Sequence, residues 1–258
     1  MLSKPRREQG FSLIELAVVL TIIGLMLAGL AMPLTVRIDQ QRYEGTSQQL
    51  LDIRAALQGY ALANDALPCP ATPSSNGRAA PTAGGCLVQH GFVPAATLGL
   101  PGPRNADQLL LDAWGNPLRY SVSRSDANGD GNWDFTRPGQ MRTVTLAALA
   151  PDLEVCTTAA GSTATACASN ATTVVANAPA VLLSMGKDWA AFTSPDQVEN
   201  AGATLGGGPS GLAYRVASDL VFVSHAQAAA TGAEFDDIVN WVSPSSLYGQ
   251  MVAAGRLP

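Results

Sequence analysis

The residues with the clearest potential for chemistry lie between positions 126 and 134, where the sequence reads DANGDGNWD. Oxygen-bearing side chains recur there at alternate positions as Asp126, Asn128, Asp130 and Asp134, and Asn132 would add its backbone carbonyl. This spacing lets several oxygens converge on one hard cation, as in a calcium-binding loop. The sequence therefore predicts a Ca²⁺ site whose role is to order the loop, and it implies no other cofactor.

The loop departs from an EF-hand at its twelfth position, where Arg137 replaces the bidentate glutamate. A last ligand would have to come from elsewhere in the chain, with Asp107 or Asp112 as candidates. The alternative is a solvated turn between two strands that binds no metal.

Other candidates for catalysis are few. Asp236 and Asp237 are adjacent, and neighbouring side chains of a strand point to opposite faces, so we expect them to pin a loop and not to share acid–base work. His90 and His225 are the only histidines, and no nucleophile lies near either in sequence. No catalytic residue is predicted.

Four cysteines, at positions 69, 86, 156 and 167, bracket two polar loops. No C-x-x-C pair is present, which argues against a zinc ribbon or a thioredoxin-like site. Outside the cytoplasm, four cysteines favour two disulfides. Of the three pairings, we expect Cys69–Cys86 and Cys156–Cys167, which close two short loops.

Composition and charge narrow the class of protein. The chain has 258 residues, 14% of them charged, and a net charge of −5. An acidic chain lacks the basic surface on which nucleic-acid binding relies, so no nucleic-acid partner is expected.

The N-terminal segment carries the strongest signal. Lys4, Arg6 and Arg7 precede a stretch, residues 16–36, that contains no charged side chain. This stretch has the length of a membrane-spanning helix, and its basic flank predicts a cytoplasmic N-terminus. A cleaved secretory signal has a shorter apolar core, and a simple signal anchor leaves Glu15 unexplained.

The segment Gln9-Gly10-Phe11-Ser12-Leu13-Ile14-Glu15-Leu16 resembles the N-terminus of type IV prepilins and type II secretion pseudopilins. The resemblance implies that a prepilin peptidase cleaves after Gly10 and that Phe11, the new N-terminus, is methylated. The match places Glu15 five residues into the processed chain. Because an unpaired charge is costly in an apolar environment, we expect Glu15 to serve in assembly by neutralising the ammonium group of a neighbouring subunit's Phe11. The alternative is a solvated Glu15 near the interface.

Three downstream segments are also similar to this family: DAWGNPLRY at 112–120, LSMGKD at 183–188 and FDDIVNW at 235–241. The resemblance implies other pilins, the peptidase/N-methyltransferase, an inner-membrane assembly platform and the membrane itself as partners. It implies a single-pass inner-membrane protein with a periplasmic domain that later enters a filament. The chain is long for a major pilin, which favours a minor subunit.

The expected fold is α+β, with a long N-terminal helix packed on an antiparallel sheet. Leu50, Ile53, Leu57 and Tyr60 fall on one face of that helix, which Asn64 and Pro68 should end. Strands are predicted at 118–123, 143–147, 181–184 and 220–224. A short helix is predicted after Ser243.

The predicted organisation is a leader (1–10), a transmembrane and assembly helix (11–36), its amphipathic continuation (37–66) and a periplasmic domain (67–258). The predicted function is that of a structural subunit of a pilus or pseudopilus. Two alternatives remain open: a filament-tip subunit for adhesion or ligand recognition, and a signal-anchored periplasmic enzyme that depends on calcium.

Overall fold

The computed structural model describes residues 12–189, 192, 194–202, 215, 218–230 and 232–257. Of residues 27–35 only the helical backbone is described. The predicted leader and its processing residues, Gly10 and Phe11, lie outside the described residues. The chain divides into two compact units, residues 1–42 and 43–258.

Helix α1 covers Leu13–Asn64. Between residues 13 and 26 its large apolar side chains are 46–90% exposed. No helix among the described residues has both the length and the apolar character needed to cross a membrane. Part of the predicted span, residues 27–35, has side chains outside the description.

In the second unit, α1 buries the face that its periodicity predicted. Leu50, Ile53 and Leu57 are at most 1% exposed. Tyr60 is half-buried, and Ala61 completes the buried stripe because it lies one turn beyond Leu57. The helix ends at Asn64, as predicted from the helix-stopping residues that follow.

The described residues form seven strands. They are β1 (His90–Phe92), β2 (Arg119–Val122), β3 (Leu153–Cys156), β4 (Thr173–Ala178), β5 (Ala180–Ser184), β6 (Val221–Val223) and β7 (Ile238–Val242). One sheet has the order β1-β2-β5-β7 and is antiparallel throughout, with Tyr120 opposite Leu182 and Leu182 opposite Asn240. A second sheet has the order β4-β3-β6, and there β3 and β6 run parallel. The α+β class and the antiparallel sheet are confirmed, whereas the parallel pair was not predicted.

Four further helices are α2 (Ala95–Leu98), α3 (Gln140–Thr143), α4 (Pro195–Ala201) and α5 (Pro244–Ala253). Three of the four predicted strands form, and α5 begins after Ser243 as expected. The strand predicted at 143–147 is wrong, because Thr143 ends α3 and the Thr145 carbonyl then accepts turn bonds from Ala148 and Leu149.

The main core lies where α1, the four-stranded sheet and α5 meet. Tyr120, Phe135, Leu182 and Leu247 are fully buried in it. The disulfides Cys69–Cys86 and Cys156–Cys167 form, with Cα–Cα distances of 5.3 and 5.6 Å. This is the pairing expected from loop closure.

Candidate functional site

Ser12 and Glu15 cap the N-terminal end of α1. The amide N–H and the hydroxyl of Ser12 both donate to Oε2 of Glu15 at 2.9 Å, and the Glu15 amide donates to Ser12 Oγ at 3.3 Å. This reciprocal arrangement is a capping box, which satisfies amides that have no partner within the helix. Glu15 therefore caps its own helix.

Side-chain oxygens of the 126–134 loop accept hydrogen bonds from the loop's own backbone amides. Asp126 accepts the amides of Asp130 and Gly131 at 3.1 and 2.8 Å. Asn128 Oδ1 accepts the Asp130 amide at 3.2 Å, and Asp130 Oδ1 accepts the Asn132 amide at 2.8 Å. Each carboxylate oxygen that accepts one of these bonds keeps a further lone pair.

Asp134 differs from the other loop acids because it is fully buried. Its Oδ2 accepts the Ser125 hydroxyl at 3.1 Å and the Ala127 amide at 2.9 Å. Its Oδ1 is buried and has no hydrogen-bond partner among the described residues. Burial raises the pKa of Asp134. A buried acceptor without a donor is costly, so a cation or a water would stabilise this position.

No three of these carboxylates form a compact group. Among the described residues, the one set of three Cys, His, Asp or Glu ligand atoms within 4.8 Å comprises Glu154, Cys156 and Cys167, and both of these cysteines are in a disulfide. Asp112, proposed as a last calcium ligand, is used in another network, and Asp107 is exposed. A cation at the loop would thus rely on carbonyl and amide oxygens as well as aspartates.

Asp188 and Asp236 lie together at a second acidic position, and we call these two residues the acid pair. Gln197 Nε2 donates to both Asp188 oxygens at 2.9 and 3.0 Å and to Asp236 Oδ1 at 2.9 Å. Asp236 Oδ2 also accepts the amides of Lys187 and Asp188, at 2.5 and 3.3 Å. Burial and the neighbouring Asp188 raise the pKa of Asp236 to about 7. The prediction that this acid pins a loop agrees with these bonds.

Asp237 points into a different buried network. Its Oδ2 accepts Asn200 Nδ2 at 2.8 Å, while its Oδ1 is buried without a partner among the described residues. Asn200 also binds both backbone groups of Val223 in β6. Burial raises the pKa of Asp237 well above its usual value. Helix α4 therefore attaches to the start of β7 through Gln197 and to β6 through Asn200.

The turn at 112–117 binds the end of β5 and the residues that follow it. Asp112 Oδ1 accepts the amides of Trp114 and Asn116 at 2.9 and 2.8 Å, and its Oδ2 accepts the Ser184 hydroxyl at 2.7 Å. Asn116 Nδ2 donates to the Gly186 carbonyl at 2.7 Å. The family-like segments at 112–120 and 183–188 thus meet in space.

Sequence reasoning missed several polar residues. Gln197 and Asn200 are uncharged, and only the Ser194–Pro195 start of a helix could have marked their segment. Arg215 is also buried: it lies 2.8 Å from Asp219 and 3.5 Å from Glu199, and stacks 4.2 Å from the Phe222 ring centroid. Burial raises the pKa of Glu199 to about 7, although Arg215 opposes the shift.

Both histidines have structural surroundings. Burial, followed by the charges of Arg215 and Arg124, holds the pKa of His90 well below its usual range, and its Nδ1 lies 2.8 Å from Ser121 Oγ. His225 stacks on Phe235 with ring centroids 3.8 Å apart. The His90–Ser121 pair is buried, with exposed fractions of 1% and 0%.

Comparison with known proteins identifies the class. Residues 5–31 match the profile of the prokaryotic N-terminal methylation motif. The chain is 30% identical over 123 residues to type II secretion system core protein G of Pseudomonas aeruginosa. The aligned region covers 45% of this chain and 74% of that protein. No solved structure matches the chain.

A methylation motif at the start of a long helix, with an α+β domain and two disulfides, defines a pilin-like protein. The chain belongs to the pilin-like and pseudopilin family. Members of this family are structural subunits, which is consistent with the absence of any predicted catalytic residue.

Proposed function

We propose that this chain is a minor pilin or pseudopilin, a structural subunit of a type II secretion pseudopilus or a type IV pilus. The methylation motif carries the proposal, since its match at residues 5–31 includes the start of α1 at Leu13. The peptidase/N-methyltransferase would cleave after Gly10 and methylate Phe11. The similarity to core protein G favours the secretion machinery.

Before assembly, the protein would cross the inner membrane once through residues 11–36, with the N-terminus in the cytoplasm and the folded domain in the periplasm. Support comes from residues 16–36, which carry no charge, and from the exposed apolar side chains of residues 13–26. An apolar surface of this extent requires lipid or protein to cover it. Lipid would cover it first, with the assembly platform and other subunits replacing lipid in the filament.

Glu15 would change its partner during assembly. Cleavage after Gly10 creates an ammonium group at Phe11, and an unpaired charge is expensive in an apolar filament core. The Glu15 carboxylate of one subunit would neutralise the Phe11 ammonium of its neighbour. Its bonds to Ser12 show that the carboxylate already lies at the first turn of α1.

The first test is the intact mass and N-terminal sequence of protein purified from membranes of a host with prepilin peptidase. A chain that begins at N-methylated Phe11 is expected. A chain that begins at Met1 would indicate a signal-anchored protein, and a start well beyond residue 30 would indicate ordinary secretion. Either result would overturn the proposal.

Variants of Glu15 test the assembly step separately. We expect Glu15→Ala to insert and be cleaved normally but to be depleted from sheared filament fractions. Glu44→Ala, at an exposed position of the same helix, is the matched control and should assemble normally. Wild-type assembly of the Glu15 variant would remove Glu15 from the mechanism.

We also propose that the domain binds Ca²⁺ at the 126–134 loop, through Asp126, Asn128, Asp130, Asp134 and the carbonyl of Asn132. The favouring observation is the buried Oδ1 of Asp134, which has no partner among the described residues. The backbone bonds to Asp126 and Asp130 hold the turn that carries these oxygens. The cation would order the loop, since hard oxygen ligands suit Ca²⁺.

The acid pair is the second proposed cation site. Two carboxylates converge there on one side-chain amide. A divalent cation would replace the proton that the raised pKa of Asp236 retains. Asp188 and Asp236 would be ligands. Rotation of the Gln197 side-chain amide by a half-turn would present its oxygen to the cation in place of Nε2.

Calorimetric titration of the metal-free domain with Ca²⁺ tests both sites. Two binding steps are expected, one lost in Asp130→Asn and the other in Asp188→Asn. Asp107→Asn, an exposed carboxylate outside both places, should keep both steps. If Asp130→Asn keeps both steps, the loop site is contradicted, and if Asp188→Asn keeps both steps, the acid-pair site is contradicted. Neither result would bear on filament assembly.

A further inference from the structure

A polar cavity lies where the start of α5 meets α1. Its volume is about 250 Å³, and it is lined by Arg54, Gln58, Ser243 and Ser246. Arg54 and Gln58 are one turn apart on α1, whereas Ser243 precedes α5 and Ser246 lies in the first turn of that helix. All four lining side chains are polar and none of the four is acidic, so the cavity suits a ligand that accepts hydrogen bonds.

Arg54 brings a positive charge to this cavity. Its side chain is half-buried, and Nη1 donates to Asn240 Oδ1 of β7 at 3.1 Å. None of the ion pairs among the described residues includes Arg54. The bond to Asn240 fixes one arm of the guanidinium group, and the N–H groups on Nε and Nη2 remain available to a ligand. A guanidinium group held in this way can pair with two oxygens of an oxyanion.

The two hydroxyls of the cavity can donate to the same ligand. Ser246 Oγ accepts the Gln58 side-chain amide at 3.0 Å, which leaves the Ser246 proton free to donate. Ser243 makes no capping bond to α5, and its Oγ lies 3.0 Å from Ser245 Oγ, so one proton of that pair also remains available. A guanidinium group and two hydroxyls match the several oxygens of a phosphate group better than the two oxygens of a carboxylate.

We propose that this cavity binds the phosphate group of a small water-soluble molecule, with Arg54, Ser243 and Ser246 as donors. The chain has a net charge of −5, so its carboxylates outnumber its basic groups, yet none of them lines this cavity. The bound phosphate group would join α1 to the start of α5. The proposal depends neither on the filament role nor on a metal site.

The test is calorimetric titration of the full chain, in a non-ionic detergent, with inorganic phosphate. We expect saturable binding that persists when sodium chloride raises the ionic strength. Arg54→Gln should weaken it about 10-fold or more, since hydrogen bonds to a charged group typically contribute that much to affinity. Ser246 is exposed, so Ser246→Ala should fold normally, and we expect it to weaken binding about 3-fold or more.

Two controls separate this site from general attraction of anions. Arg78→Gln removes an exposed arginine that does not line the cavity, and should bind phosphate as the wild type does. Acetate, a carboxylate of similar size, should bind about 10-fold more weakly than phosphate. Acetate binding as tight as that of phosphate would overturn the assignment to a phosphate group.

Three other results would overturn the site itself: no saturable binding by the wild type, wild-type affinity in both folded Arg54→Gln and Ser246→Ala, or an equal loss in Arg78→Gln. None of these results would bear on processing after Gly10 or on filament assembly, so a failure here leaves the proposed function untouched.

Discussion

Gly186 and Asp236 pack so closely that no side chain fits between them. Gly186 follows the end of β5, whereas Asp236 precedes β7, and the pairing of these two strands places them side by side. The glycine also has a positive φ of +61°, which a residue with a Cβ adopts only at a cost. The acid pair depends on this glycine for both reasons.

We expect Gly186→Ala to lower the free energy of unfolding by about 2–4 kcal/mol, since it adds a steric overlap to the backbone cost. Gly255→Ala is the matched control, because Gly255 has φ +66° with no atom within 4 Å of the added Cβ. It should cost about 1 kcal/mol. Urea unfolding of both variants measures the difference, and equal losses would contradict the packing argument.

The pH dependence of stability should report on Glu199. Its pKa is about 7 in the folded chain, against an ordinary value of 4.5. Between these values the folded state holds a proton that the unfolded state has released, so the contribution of Glu199 to stability falls as pH rises from 4.5 to 7.

Glu199→Gln should remove this part of the pH dependence. We expect the free energy of unfolding of the variant, measured against that of the wild type, to be higher at pH 8 than at pH 5. Thermal unfolding across this range measures the effect, with Asp107→Asn, an exposed carboxylate, as the control. A wild-type slope in Glu199→Gln would show that other groups set the pH dependence.

The two disulfides should differ in their contribution to stability. They close loops with sequence separations of 17 and 11, so each is worth about 3 kcal/mol in the chain-entropy view. Cys69 and Cys86 also lie in the main core, whereas Cys167 is only half-buried. We therefore expect Cys69→Ala/Cys86→Ala to cost more than Cys156→Ala/Cys167→Ala in denaturant unfolding. The opposite order would contradict this reasoning.

The buried stripe of α1 should be the main attachment of that helix to the sheet. Leu57 is fully buried, so Leu57→Ala should cost about 2–5 kcal/mol through lost burial and a cavity. Leu87 is 54% exposed, and Leu87→Ala should change stability by about 0.5 kcal/mol or less. Chemical denaturation compares the two, and a small loss at Leu57 would mean that the site relaxes around the cavity.

Local patterns in the sequence determined the parts of this protein that depend on near neighbours. The N-terminal motif, the buried stripe through Leu57, the end of α1, the start of α5 and the α+β class all follow from spacing, charge and caps. These signals are strong because a helix repeats every few residues and a processing enzyme reads a short segment.

Only the tertiary structure decided which polar groups meet. Asp188 and Gln197 meet Asp236, which lies 39 residues beyond Gln197, and Asn116 binds the Gly186 carbonyl, 70 residues away. The parallel pairing of β3 with β6 and the turn in place of a strand at 143–147 are decided in the same way. Burial and pairing between distant segments set these features, and no local propensity encodes them.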